Sequence, residues 1–146
     1  MTKIIAEIGW NHMGSLKLAK KMILEAKKNG ADFVKTQIFN VESLKKGPWD
    51  KDGRREIYKK AQLNYKKYEE LFNYAKKINC KFFASAMSVK DAELIKKVNN
   101  ELIKIPSMES RNIPLINYCS KNFKHIIISS GTSKFEEILN SCKKIP

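Results

Sequence analysis

Residues 4–39 read IIAEIGWNHMGSLKLAKKMILEAKKNGADFVKTQIF and contain the unit that decides the fold. Ile4–Ile8 is a β-branched run typical of a strand. Ser15 then precedes apolar residues at helical spacing, which end before Gly30. Asp32–Phe39 again has the pattern of a strand, so the stretch predicts a β-α-β unit.

The same alternation continues along the rest of the chain. Further strands are predicted at Lys81–Ala86, Leu102–Ile105 and Ile126–Ser130. Helices are predicted at Glu56–Lys60, Tyr65–Ile78, Lys90–Val98 and Ile113–Lys121, and a last helix is predicted to open at Ser133.

Repeated β/α units predict an α/β fold with a parallel sheet and crossover helices. Two architectures remain open: a TIM-type (β/α) barrel truncated to about five units, or a small five-stranded doubly wound sheet. A complete barrel needs about 250 residues, and the chain has 146. No linker or low-complexity tract is visible, so residues 1–146 are predicted to form a single domain.

The charge balance is strongly basic but is made mostly of lysine. The chain has 29 Lys and Arg against 15 Asp and Glu, a net charge of +14. Only Arg54, Arg55 and Arg111 are arginines, although arginine makes most bidentate contacts to bases and phosphates. A solvated, lysine-rich surface is therefore favoured over a basic nucleic-acid-binding module, which stays open as the less favoured alternative.

The sequence also bears on the compartment. No apolar run approaches the roughly 18 residues of a membrane span, and no secretory signal is visible. The cysteines Cys80, Cys119 and Cys142 are odd in number and lack CxxC spacing, which excludes a disulfide framework and the usual zinc patterns. We expect a cytoplasmic protein with reduced thiols.

Charged, amide and hydroxyl side chains stand within or just after all five predicted strands. Strands covered on both faces of a parallel sheet are nearly continuous apolar sequence, so these side chains are unexpected. They are Glu7, Lys35, Gln37, Ser85, Lys104, Ser107, Glu109 and Ser129. Ligand sites of parallel sheets lie at the carboxyl ends of the strands, so the pattern predicts a polar site there.

The two strand lysines indicate the ligand. Burying an ammonium is costly unless an anion compensates it, so Lys35 and Lys104 favour a pocket for a phosphate or carboxylate. A structural alternative stays open, in which they lie on edge strands or pair with Glu7 and Glu109. His12 also has two interpretations: a catalytic base or metal ligand, or a residue that fixes the first β-to-α turn.

Several motifs resemble the sialic acid synthases, the N-acetylneuraminate synthase family. Glu7–Gly14 resembles the family's EIGxNHxG opening, and Asn29–Phe39 resembles its GADxVKxQxF strand. Lys104–Glu109 is similar to its KIxSxE segment, and Ile128–Gly131 to its LSTG strand. Together with a similar second-helix region from Arg55, the motifs follow in order and cover essentially the whole chain.

The resemblance implies a (β/α)8 barrel enzyme of sugar-acid biosynthesis. Such an enzyme condenses phosphoenolpyruvate with an N-acyl amino sugar, for example N-acetylmannosamine, and forms a nine-carbon 2-keto acid and phosphate. The family uses Mn2+ or Mg2+ as a Lewis acid on the aldehyde oxygen of the sugar. This chain is thereby identified as a partial barrel of a C–C bond-forming transferase.

The resemblance also implies roles for individual residues. The positions that match phosphoenolpyruvate contacts are Lys35, Lys104, Ser107 and Ser129. Ser85 stands where the family usually has threonine, so the hydroxyl is retained. Glu7 and Gln37 match positions near the sugar and the developing intermediate, and Glu109 matches a carboxylate that faces phosphoenolpyruvate. Glu7 and Glu109 are therefore the candidate catalytic residues.

The chain also departs from the family pattern. After Ser85 the family commonly has Pro-Phe-Asp, whereas this chain has Ala86-Met87-Ser88. Strands six to eight, with two metal-binding histidines, have no counterpart, nor does the C-terminal antifreeze-like domain. We therefore expect the metal ligands to lie outside this chain and the isolated chain to be inactive or nearly so. We also expect it to self-associate or to pair with a missing C-terminal half.

Overall fold

Strands and helices alternate along the chain, as the sequence predicts. The computed structural model describes residues 2–44, 46–131 and 133–143. Its strands are β1 (Ile5–Gly9), β2 (Phe33–Ile38), β3 (Lys81–Ala86), β4 (Leu102–Ile105) and β5 (His125–Ile128). Its α-helices are α1 (Leu16–Lys28), α2 (Arg54–Ala61), α3 (Tyr65–Lys77), α4 (Val89–Val98), α5 (Ile113–Asn122) and α6 (Phe135–Cys142). Short 3-10 helices occur at Val41–Ser43, Pro48–Asp50 and Ser107–Glu109.

The strands form a sheet in the order β1-β2-β3-β4-β5. Pairing is parallel between β1 and β2, between β3 and β4, and between β4 and β5. A flavodoxin-like doubly wound sheet has the order 2-1-3-4-5, whereas a (β/α) barrel adds each strand beside the preceding one. The sequential order therefore confirms the α/β class and favours the truncated barrel over the doubly wound sheet.

The chain divides inside β3 into two compact units, Met1–Phe83 and Ala84–Pro146. The first contains β1, β2 and α1 to α3, and the second contains β4, β5 and α4 to α6. The single domain over residues 1–146 stays a prediction. Among the described residues, none of the helices is long and apolar enough to cross a bilayer.

The first unit has a core between two amphipathic helices and the strands. Ser15 Oγ accepts the Leu18 N–H at 3.2 Å and begins α1, which buries Ala19 and Ile23 completely. α1 packs against α3, whose Leu71 is also fully buried. Each buried isoleucine or leucine contributes about 1.5–3 kcal/mol. The helix faces therefore supply apolar burial that offsets the polar residues at the strand ends.

The second unit has a comparable core around β4. Ile103 and Ile105 alternate with Lys104 along the strand and are fully buried, as is Leu115 of α5. Asn112 begins α5 by accepting the Leu115 N–H on its Oδ1 at 3.2 Å. This alternation places the lysine on the opposite side of the strand from the two isoleucines.

The start of α6 differs from the prediction. The sequence predicts that Ser133 opens this helix, but α6 begins at Phe135 after the cap residue Lys134. The Lys134 N–H donates to Glu137 Oε2 at 2.8 Å, so the acidic first turn does satisfy the helix end. Ser133 Oγ lies instead 2.5 Å from Ser110 Oγ. The prediction that Ser133 opens the helix is wrong, because its hydroxyl contacts Ser110, which is distant in sequence, and Lys134 is the cap residue of α6.

Candidate functional site

A lysine and a glutamate lie side by side on β1 and β2. The parallel register places Glu7 opposite Lys35. Lys35 is 4% exposed, and its Nζ forms an ion pair with Glu7 Oε2. The Glu7 side chain remains 45% exposed. Water therefore reaches this ion pair through the carboxylate, and the pairing is the one that the structural alternative proposed for Lys35.

The main chain at Gly9 orders two of the predicted site residues. Gly9 has φ +52°, and its N–H donates to Glu7 Oε1 at 2.8 Å. A Cβ on Gly9 would lie 3.6 Å from Glu7 Oε1 and 3.7 Å from Gln37 Nε2. Both polar side chains therefore lie against the Gly9 main chain. In the first unit the structure thus brings together Glu7, Lys35 and Gln37.

Thr36 supports this arrangement, although the sequence did not single it out. It is fully buried, and its Oγ1 donates to the Gly9 carbonyl oxygen at 2.8 Å. Side chains alternate along a strand, so Thr36 lies on the face opposite Lys35 and Gln37. The sequence signal for Thr36 was its place between Lys35 and Gln37, which puts its hydroxyl on the opposite face of β2. A hydroxyl buried on that face needs a hydrogen-bond partner.

His12 is completely buried in the turn between β1 and α1. Its Nδ1 accepts the Gly14 N–H at 3.1 Å, and its carbonyl oxygen accepts the Ser15 N–H at 2.8 Å. Burial and the nearby Lys67 charge lower the pKa of the imidazole. Its Nε2 has no hydrogen-bond partner in the described part of the chain. These contacts favour the residue that fixes the turn over the metal ligand.

In the second unit, a serine and a lysine are neighbours on adjacent strands. The register pairs Ser85 of β3 with Lys104 of β4, and Ile127 of β5 flanks Lys104 on the other side. Ser85 is buried and Lys104 is half-buried. β4 has a partner strand on both sides, so the edge-strand alternative is wrong for Lys104.

The ends of β4 and β5 lie close together. Ser129 N–H donates to the Ile105 carbonyl oxygen at 3.1 Å, which extends the pairing beyond β5. A Cβ on Gly131 would lie 3.3 Å from Ser107 Oγ, so the main chain at Gly131 lies against this hydroxyl. The structure therefore brings the segments that carry Ser107 and Ser129 together.

Glu109 is fixed by a residue one turn further along the chain. Its Oε2 accepts a hydrogen bond from Asn112 Nδ2 at 2.8 Å. The Asn112 Oδ1 is used at the same time to cap α5. Both ends of one amide are thus occupied, and the Glu109 carboxylate is oriented by a helix start.

The described residues do not fit a divalent metal ion. Across residues 2–44, 46–131 and 133–143, no group of three or more His, Cys, Asp or Glu side chains is placed to hold one. The Mn2+ or Mg2+ implied by the resemblance therefore stays a prediction.

The sequentially ordered parallel strands with their intervening helices define a segment of a (β/α) barrel. The matches to known proteins give the family. The chain belongs to the NeuB family, whose model matches residues 22–145.

The relatives are longer enzymes of sugar-acid synthesis. The N,N'-diacetyllegionaminic acid synthase of Campylobacter jejuni is 36% identical over 148 residues and covers 94% of this chain and 44% of its own length. The pseudaminic acid synthase of Helicobacter pylori is 33% identical and covers 98% of this chain and 46% of its own length. A solved sialic acid synthetase from Leptospira borgpetersenii is 31% identical, with a TM-score of 0.87 over 97% of this chain and 48% of that one. The chain therefore spans about half the length of these relatives, and the truncated-barrel fold is confirmed.

Proposed function

We propose that this chain is part of the catalytic barrel of a phosphoenolpyruvate-dependent synthase. The proposed reaction joins phosphoenolpyruvate to an N-acyl amino sugar, such as N-acetylmannosamine or a relative, and gives a nine-carbon 2-keto sugar acid and phosphate. Relatives that make different sugar acids are similarly close to the chain, at 36%, 33% and 31% identity. The sugar is therefore given only by its class. We expect the reaction in the cytoplasm.

The observation that carries the proposal is an ammonium buried within a strand, that of Lys35 at 4% exposure. Glu7 already places one negative charge beside it, and phosphoenolpyruvate brings a phosphate and a carboxylate that compete with the exposed Glu7 carboxylate for this ammonium. We assign these charges to Lys35 and Lys104. The hydroxyls that we assign to the phosphate or carboxylate oxygens are those of Ser85, Ser107 and Ser129. Hydrogen bonds to ionised oxygens are about twice as strong as those between neutral groups.

The carboxylates have a separate proposed role. The Gly9 N–H holds Glu7 Oε1, so Glu7 stays oriented when a bound anion competes for Lys35. Glu109 is oriented in a similar way by Asn112. We propose that Glu7 and Gln37 act near the sugar and the intermediate, and that Glu109 faces phosphoenolpyruvate. Proton transfer requires carboxylates held within hydrogen-bond reach of the reacting atom, which such anchoring favours.

Calorimetric titration with phosphoenolpyruvate tests the binding assignment. We expect saturable binding by the wild-type chain. In Lys35→Met and in Lys104→Met we expect binding at least about tenfold weaker, because each change removes a charge-assisted contact. Lys97→Met is the control, since Lys97 is exposed on α4. Equal affinities in the wild type and all three variants would contradict the assignment.

Turnover is a separate question from binding. The family chemistry needs a metal ion as Lewis acid, and the described residues offer no site for one. We therefore expect no phosphate release from phosphoenolpyruvate by the isolated chain in the presence of Mn2+ and N-acetylmannosamine. Robust release would refute the proposed inactivity.

We also propose that the chain self-associates or pairs with a C-terminal half. In the second unit, Met108 and Phe135 are 71% and 73% exposed, and Leu139 lies one helical turn after Phe135. Exposed apolar groups of this size favour association. Sedimentation velocity tests the expectation, and a monodisperse monomer would contradict it.

Tight, steeply salt-dependent binding to duplex DNA would contradict the expected absence of a nucleic-acid partner.

A further inference from the structure

Three serines of the second unit form a cluster to which no ligand contact has been assigned. They are Ser110, after the 3-10 helix Ser107–Glu109, Ser133, before α6, and Ser141, near the end of α6. Ser110 and Ser141 are 3% and 4% exposed. A buried hydroxyl without a hydrogen-bond partner is destabilising, so the role of this serine cluster follows from the hydrogen bonds that its hydroxyls make.

The cluster joins three segments through hydroxyl hydrogen bonds. Ser110 Oγ donates its only proton to the Ser107 carbonyl oxygen at 2.8 Å. It therefore accepts from Ser133 Oγ, 2.5 Å away. Ser141 Oγ lies 2.8 Å from the Ser110 carbonyl oxygen and 3.0 Å from that of Glu137, and its proton is directed to these acceptors. The turn at Ser107, the segment after β5 and helix α6 are thereby connected.

These connections lie in the segments that follow β4 and β5. A Cβ built on Gly131 would lie 3.3 Å from Ser107 Oγ. Ser133, two residues further on, is bonded to Ser110, which in turn holds the Ser107 carbonyl. Any separation of the two segments would therefore move the Ser107 hydroxyl relative to Ser129.

We propose that the serine cluster positions the hydroxyls of Ser107 and Ser129 so that both serve one anion. The cluster residues are positioning residues, because they act through the main chain that carries the two binding serines. The identity of the anion, phosphoenolpyruvate, rests on the proposed function. The hydrogen bonds between the two segments do not depend on it.

Amide hydrogen exchange, measured by NMR without ligand, tests the connection. Ser110 N–H donates to the Ser107 carbonyl oxygen at 3.2 Å, and Ser133 N–H donates to that of Ser130 at 2.9 Å. In Ser133→Ala we expect both amides to exchange about tenfold faster, because the hydroxyl link between the turns is lost. Faster exchange at residue 133 alone would overturn the cluster.

A matched control is available on α5. Ser120 Oγ donates to the Asn117 carbonyl oxygen at 3.0 Å, and the side chain is half-buried. Ser120→Ala thus removes a hydroxyl hydrogen bond from the same unit without touching the cluster. We expect wild-type exchange at residues 110 and 133 in this variant.

Phosphoenolpyruvate affinity tests the positioning role. We expect about tenfold weaker binding in Ser133→Ala and in Ser110→Ala, and wild-type binding in Ser120→Ala. Ser133→Thr keeps a hydroxyl and is expected to restore the affinity. Unchanged affinity in Ser133→Ala beside faster exchange would overturn the positioning role. No binding by the wild type would instead refute the proposed function, and the exchange measurement would then decide the cluster.

Discussion

Removing one partner of the Glu7–Lys35 pair at a time separates stability from binding. Glu7→Gln keeps the shape of the side chain but removes the negative charge that faces Lys35. Lys35→Met removes the ammonium and leaves an apolar chain of similar length. After that change Glu7 returns to water easily, because its side chain is already 45% exposed. The two variants should therefore differ in stability.

The burial of the two side chains sets the size of the expected change in the free energy of unfolding. Removing one partner of a fully buried ion pair costs about 3–5 kcal/mol, whereas an exposed pair contributes about 0–1 kcal/mol. The Lys35 and Glu7 side chains are 5% and 45% exposed, which places this pair between the two cases. We expect Glu7→Gln to lower the free energy of unfolding by about 2 kcal/mol. We expect Lys35→Met to change it by less than about 1 kcal/mol.

Urea denaturation followed by circular dichroism measures these differences. Equal slopes of free energy against urea would show that the midpoints report stability. Glu70→Gln is the control, since it breaks the exposed pair with Lys20 and should cost less than about 1 kcal/mol. A larger loss in Lys35→Met than in Glu7→Gln would refute the reasoning, because the buried ammonium would then be a net source of stability. Weaker phosphoenolpyruvate binding by a well-folded Lys35→Met would complete the separation.

Two further predictions concern the turn between β1 and α1. Gly14→Ala places a Cβ 1.9 Å from the Lys60 carbonyl oxygen at φ +80°, and we expect a loss above about 3 kcal/mol. Gly30→Ala, at φ +89° in open space, should cost about 1–2 kcal/mol, so equal losses in urea denaturation would contradict the steric argument. Burial lowers the pKa of His12 in the folded chain, so as the pH falls below about 6.5 this histidine is protonated in the unfolded chain before it is protonated in the folded one. The free energy of unfolding should therefore decline there, by at most about 1.4 kcal/mol per pH unit. Denaturation between about pH 7 and pH 5 should show a flatter slope in His12→Asn, and a slope that flattens equally in His125→Asn, at an exposed position, would count against this cause.

Local sequence was sufficient to locate most of the fold. The predicted bounds of β3 and β4, Lys81–Ala86 and Leu102–Ile105, are those of the structure. Ser15 caps α1 as predicted, because its hydroxyl reaches an N–H three residues away and needs no distant partner. The strand predicted at Ile126–Ser130 is present as β5, but it begins at His125 and ends at Ile128, before the serines that follow it.

The residue types at the candidate site could also be predicted, but the choice between their alternative contacts could not. Lysine within an apolar strand already indicated a charged partner for Lys35. Which carboxylate it meets depends on the register of β1 with β2. Ser133 shows the same limit, since the sequence suggested a helix cap and the structure gives its hydroxyl to Ser110.

The amino-acid sequence by itself determined the α/β class, the order of the elements and the set of polar residues along the strands. These follow from the hydrophobic period and from capping residues, which act over a few positions. Only the tertiary structure decided that Glu7 pairs with Lys35, that His12 is fully buried and that Ser110 and Ser133 link the segments after β4 and β5. Burial and hydrogen bonding between distant residues depend on how the elements pack, and the sequence period does not encode that packing.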